Sequence, residues 1–133
     1  MRRTVDLRLY AVLDPACSRG RPLPELAAAA ARGGATLVQY RDKVSGTRDL
    51  VANARAILAA LEPYGVPLLI NDRIDVALAA GAQGCHVGRT DMASDDARRL
   101  LGPEAILGVL EELADLARRA VDANQRLYSW VSQ

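Results

Sequence analysis

Gln39, Arg41 and Lys43 occupy alternate positions at the end of a short apolar run. Alternate side chains of a strand share a face, so one amide and two cations project together if strand conformation persists to Lys43. Arg grips phosphate oxygens through parallel donors and Lys acts as a mobile point charge, so the set suits a polyphosphate. A charged strand end pairing with helix acids would use the same residue types. Asn71 and Asp72 close the most apolar run of the chain, and Asp91 follows the next run in a Gly88-Arg-Thr-Asp91 loop. Carboxylates at neighbouring strand ends suit Mg²⁺, which is typically held by one or two carboxylates with substrate phosphates and waters. Asn and Asp are also common helix caps, and a helix is expected to start near Arg73. His86 has apolar neighbours and reads as a buried, hydrogen-bonded histidine. No residue is assigned as a catalytic acid, base or nucleophile. The dinucleotide Gly-x-Gly-x-x-Gly, the Walker loop and the Gly-x-Ser-x-Gly elbow are all absent.

Positioning these residues requires strands that end together. Helical, Ala-rich stretches repeatedly end at glycine and run into a short apolar strand, at Gly34, Gly65, Gly84 and Gly102. The strands are expected over Leu7–Leu13, up to Arg41, Pro67–Ile70, Gly84–Val87 and Ala105–Val109, with continuous apolar character where both faces are buried. Helices are expected with Pro24 in the first turn, from Thr47 as cap, over Arg73–Ala80, from Ser94 as cap, and over Glu111–Ala123. A further strand is expected over Leu127–Val131. Regular βα alternation implies a parallel sheet with right-handed crossovers. It does not separate an open doubly wound sheet from an unfinished barrel.

The 133 residues suit one domain, with no linker or low-complexity tract. Half are apolar and a quarter charged, while Phe is absent, so Leu, Val, Ile and Ala must fill the core. A net charge of +1 gives no long-range attraction for nucleic acid or acidic membranes. The two cysteines, Cys17 and Cys85, are too few for a disulfide framework, and no secretory or membrane-spanning apolar run occurs. The expectation is a reduced, cytoplasmic protein.

Val38-Gln-Tyr-Arg-Asp-Lys43, Leu69-Ile-Asn-Asp-Arg-Ile-Asp-Val-Ala77 and Gly84-Cys-His-Val-Gly-Arg-Thr-Asp91, in this order and spacing, resemble the thiamine-phosphate synthase family. Leu9-Tyr-Ala-Val-Leu-Asp-Pro15 and Ile106-Leu-Gly-Val109 extend the resemblance, which runs from residue 7 to 109; residues 110–133 diverge. It implies a TIM-type (βα) barrel that joins hydroxymethylpyrimidine diphosphate to thiazole phosphate, releasing pyrophosphate with Mg²⁺. By resemblance, Gln39, Arg41, Lys43 and Asn71 bind the pyrimidine diphosphate, and Asp72 and Asp91 hold Mg²⁺.

About five or six βα units fit this length, whereas a closed eight-unit barrel typically needs about 250 residues, so an incomplete barrel is expected. Arg89 stands where the family usually has Gln, and Leu110 where it has Ser. The family's later Thr/Lys segment and glycine-rich phosphate loops have no counterpart. The expectation is a single partial domain over 1–133, C-terminally truncated, inactive alone and self-associating through an open barrel edge. A thiazole tautomerase-like isomerase and a non-catalytic assembly module are the alternatives; retention of the Gln/Arg/Lys set and both aspartates argues against the isomerase.

Overall fold

A computed structural model describes residues 4–88 and 91–109. Five strands, β1 (Tyr10–Leu13), β2 (Leu37–Tyr40), β3 (Leu68–Asn71), β4 (Gly84–Val87) and β5 (Ile106–Val109), form one parallel sheet in the order β1-β2-β3-β4-β5. Helices α1 (Leu23–Arg32), α2 (Thr47–Leu61), α3 (Ile74–Ala80) and α4 (Ser94–Leu101) fill the crossovers. The strand order follows the chain without a reversal, so the winding is single and the doubly wound order is absent among the described residues. Arg89, Leu110, the helix expected over 111–123 and the strand expected over 127–131 lie outside the described residues, as does whatever lies beside β5.

Period-two alternation divides each strand between two environments. Leu13, Val38, Tyr40, Leu68, Ile70, Cys85 and Val87 point to the helices and join Ala27, Leu50, Ala54, Ile57, Leu61 and Val76 in one continuous core. Small alanines on the helices let them lie close to the sheet. The opposite face has a smaller apolar cluster of Tyr10, Leu37, Leu69 and Ile106. Gly84 is required there: a Cβ at this position would lie 1.9 Å from the Ile106 carbonyl oxygen.

β1, β3 and β5 start later than expected, β4 starts at Gly84 as expected, and β2 stops at Tyr40, before Arg41 and Lys43. Three capping expectations are corrected. The position before α2 is Gly46, and the Thr47 hydroxyl accepts a hydrogen bond from the Arg73 guanidinium at 2.8 Å. Ala93, not Ser94, precedes α4, and no side chain caps it. Arg73 precedes α3 and again no side chain caps the helix, which frees Asn71 and Asp72 from the structural duty the sequence left open. Pro24 does lie in the first turn of α1, where its missing N–H has no cost. No helix of the described residues is long and apolar enough to cross a membrane.

Candidate active site at the C-terminal ends of the strands

The inner face of the sheet changes character along its strands. Past Leu37 on β2, Leu69 on β3 and Gly84 on β4 the next inward positions are Gln39, Asn71 and His86, which parallel register brings toward the same end. Gln39 is buried, and its Nε2 donates to the Tyr10 hydroxyl at 2.7 Å. Burial pushes the Tyr10 phenol up to about 12, with the Gln39 hydrogen bond opposing, so it stays neutral and holds the amide in place. Tyr10 was not assigned a role from the sequence, where it stands in the first strand with no partner in view.

Asn71 ends β3 with its Oδ1 buried and, alone among the described residues' buried side-chain polar atoms, without a hydrogen-bond partner. An orphaned buried acceptor typically costs about 1–3 kcal/mol, so it persists where something else will satisfy it. Asp72 follows with φ of +64°, a left-handed conformation rare outside glycine but tolerated by short polar side chains. Its N–H donates to the His86 carbonyl at 2.7 Å, fixing the turn against β4. Strain of this kind is typical of functional positions.

Asp91 returns over the end of β4, where its Oδ2 accepts from the Gly88 N–H at 2.7 Å. A Cβ on Gly88 would lie 2.9 Å from that oxygen and 4.0 Å from Asp72 Oδ1, so glycine leaves room for both carboxyls. They lie in hydrogen-bonding contact. Burial pushes the Asp72 carboxyl up, but hydrogen bonds with Asp91, Lys43 and Asn71 outweigh it and hold Asp72 below the usual range. The hydrogen bond to Asp72 raises Asp91, with desolvation adding to it. Two carboxyls this close disfavour each other's ionisation, and a cation between them relieves the repulsion.

The two cations are placed apart. Lys43 pairs with Asp72 from across the neighbouring strand. Arg41 pairs with Asp14 at 2.6 Å, its backbone N–H bonded to the Leu13 carbonyl at 2.8 Å. The structure therefore brings Lys43, Asn71, Asp72 and Asp91 together, with Gln39 inward of them, and holds Arg41 on the β1 side by Asp14. Asp14 was missed as a partner; its place just after the first strand was the available signal.

His86 is half-buried, and its ring lies where a Cβ at Gly108 would come within 2.7 Å of Cδ2. Burial lowers its pKa, opposed by the two aspartates, so the imidazole is neutral near pH 7. Cys85 points into the helix-side core, where burial pushes its thiol up to about 12. A cavity of about 390 Å³ opens beside Asp91, lined also by Val87, Gly88, Met92, Ser94 and Val109. No group of three His, Cys, Asp or Glu side chains converges among the described residues. Two carboxylates with an orphaned amide oxygen instead suit a hard cation that completes its shell with ligand oxygens and water.

Comparison with known proteins gives the family of the chain. The profile of thiamine monophosphate synthase matches residues 9–127. The thiamine-phosphate synthase of Albidiferax ferrireducens is 55% identical over 119 residues, covering 89% of this chain and 54% of the relative. That of Agrobacterium fabrum is 54% identical over 117 residues, covering 87% of this chain and 53% of the relative. The solved structure of thiamine phosphate pyrophosphorylase from Pyrococcus furiosus superposes with a TM-score of 0.69 at 32% identity, over 85% of this chain and 55% of that one. The chain spans about half the length of the curated relatives it matches. With its family profile matched over most of its residues, the chain belongs to the thiamine monophosphate synthase family.

Proposed function

We propose that this chain carries the pyrimidine-diphosphate and Mg²⁺ portion of a thiamine-phosphate synthase site, set on an arc of a TIM-type barrel. The whole reaction joins hydroxymethylpyrimidine diphosphate to thiazole phosphate and releases pyrophosphate. The observation that carries the reading is the contact between the Asp72 and Asp91 carboxyls beside the partnerless Asn71 oxygen. The site lies at the C-terminal ends of parallel strands, the end where barrel enzymes bind their ligands.

In this reading Asp72 and Asp91 hold Mg²⁺, whose charge would stabilise the departing diphosphate. Arg41 and Lys43 supply fixed and mobile positive charge along the diphosphate, and Lys43 turns from Asp72 to do so. Gln39, oriented by Tyr10, and Asn71 present amide groups to the pyrimidine end of the ligand. The His86 ring, packed against Gly108, lies beneath it as an uncharged floor. Donors held in place before the ligand arrives lower the reorganisation that charge separation would otherwise demand.

Calorimetric titration with inorganic pyrophosphate, in MgCl₂ and in EDTA, tests the reading. Binding is expected with Mg²⁺ and weakened in EDTA, and Asp72→Ala or Asp91→Ala removes the difference. Equal affinity in both buffers, unchanged in both variants, overturns the assignment.

A further inference from the structure

The β2–α2 loop carries Lys43, and a single carboxylate folds it. Asp42 Oδ1 accepts from the backbone N–H groups of Val44 at 3.0 Å and Ser45 at 2.9 Å. Its Oδ2 accepts from the Tyr40 hydroxyl at 2.7 Å. That hydroxyl in turn accepts from Asn53 Nδ2 on α2 at 3.0 Å. The Tyr40 ring is buried in the helix-side core, so its oxygen is a fixed point to which the loop is tied. Packing contributes little to holding the loop tip, since Val44 is 93% exposed. Polar contacts through Asp42 are what order it.

We propose that Asp42, anchored through Tyr40 and Asn53, is a positioning residue that acts through Lys43. It fixes the loop backbone so that the Lys43 ammonium stands at the carboxylate pair. Asp42 turns toward the helix layer, as Tyr40 does, and Lys43 turns the other way and reaches Asp72 at the end of the next strand. A lysine on a mobile loop would have to give up backbone as well as side-chain freedom on gripping an anion, and affinity falls by that entropy. The proposal rests on the reading that Lys43 binds the diphosphate. Three hydrogen bonds are more than a loop carboxylate needs for solubility. Burial pulls the Asp42 carboxyl up, but these donors hold it at about 2, so the anchor is ionised wherever the protein works.

A double-mutant cycle on the full chain, read as affinity for inorganic pyrophosphate in MgCl₂, tests it. Lys43→Ala is expected to weaken binding by about tenfold and Asp42→Ala by about three- to tenfold, whereas Asp42→Ala in the Lys43→Ala background changes it by less than about twofold. Tyr40→Phe, which keeps the buried ring and removes only the hydroxyl, gives a smaller loss in the same direction and serves if Asp42→Ala does not fold. Asp42→Asn retains an acceptor for the two backbone N–H groups and is expected to restore most of the affinity. An equal loss from Asp42→Ala with and without Lys43 shows a merely structural role and overturns the proposal. So does wild-type affinity in both Asp42→Ala and Tyr40→Phe while Lys43→Ala binds weakly, which leaves the diphosphate reading standing. Wild-type affinity in Lys43→Ala, or no binding by any form, overturns the diphosphate reading and this proposal with it.

Discussion

The two faces of one sheet are built from the same strands and obey opposite rules. Toward the helices every inward position is apolar, alanines on α1 and α2 bring the helices close, and the core is continuous from Leu13 to Val87. On the other face, among the described residues, the buried apolar cluster is Tyr10, Leu37, Leu69 and Ile106, and toward the strand ends β2, β3 and β4 turn in Gln39, Asn71 and His86. The helix side is complete in itself: its atoms have partners in the chain. The site side leaves a buried oxygen unpaired, a non-glycine residue left-handed and two carboxyls in contact. Stability resides in the first and unspent interaction in the second, which is what a ligand must find.

The largest way to break the comparison is on the helix side. Ile57 is fully buried between α2 and the sheet. Ile57→Ala is expected to destabilise by about 2–5 kcal/mol in chemical denaturation, leaving the pyrophosphate affinity of the folded fraction unchanged. A specific loss of affinity without loss of stability would dissolve the division between the faces.

Asp72→Asn sharpens it from the other side. Asn tolerates the same left-handed backbone, so the fold is expected to persist with a similar Tm. Affinity for pyrophosphate with Mg²⁺ is expected to fall by about tenfold or more, equivalent to about 1.4 kcal/mol or more. Asp72→Ala adds backbone strain to the same loss of charge, so it should bind as poorly and melt lower. Unchanged affinity in Asp72→Asn would mean that the carboxylate is structural.

Tyr10→Phe sits on the border between the two regimes, because the ring belongs to the inner apolar cluster and the hydroxyl holds Gln39. It is expected to cost about 1 kcal/mol of stability for the lost hydrogen bond. The freed Gln39 amide should also weaken ligand binding modestly, which titration of the same variant reads.

The smallest effect is the response to acid. The folded Asp42 carboxyl titrates at about 2, below its ordinary value of 3.8. A depressed folded value means that its contribution is fully present above about pH 4 and is lost as the pH falls through about 2. Denaturant midpoints for the wild type and Asp42→Asn should therefore differ at pH 6 and converge toward pH 2. A constant gap would show that the carboxylate's charge is irrelevant to the loop.

Much of this was legible in residue order. Glycine after an Ala-rich stretch and before an apolar run placed four of the five strands, and the apolar run alone placed β1, because a left-handed or strained terminus and the two repeat periods are local properties. Gln39, Asn71 and Asp72 were located at strand ends by the same pattern. Other features were less accessible. The caps failed at Thr47 and Ser94 because a hydroxyl near a helix start serves whichever partner tertiary packing supplies, here Arg73 for Thr47. Arg41 and Lys43 looked like one cationic pair on spacing, but β2 ends at Tyr40 and the loop sends them to different carboxylates.

By itself the sequence determined the βα alternation, the parallel sheet, the family and the residue types available at the strand ends, since each depends on neighbours within a few positions. Only the tertiary structure decided which of those residues meet. Asp72 and Asp91 come together because β3 and β4 are adjacent and in register, with Gly88 clearing the space between their carboxyls. Lys43 reaches them because Asp42 is tied to a buried tyrosine on one strand and an asparagine on the following helix. Contacts between residues from 13 to 29 positions apart have no local signature; they exist only once loop closure and burial have been settled by the whole sheet.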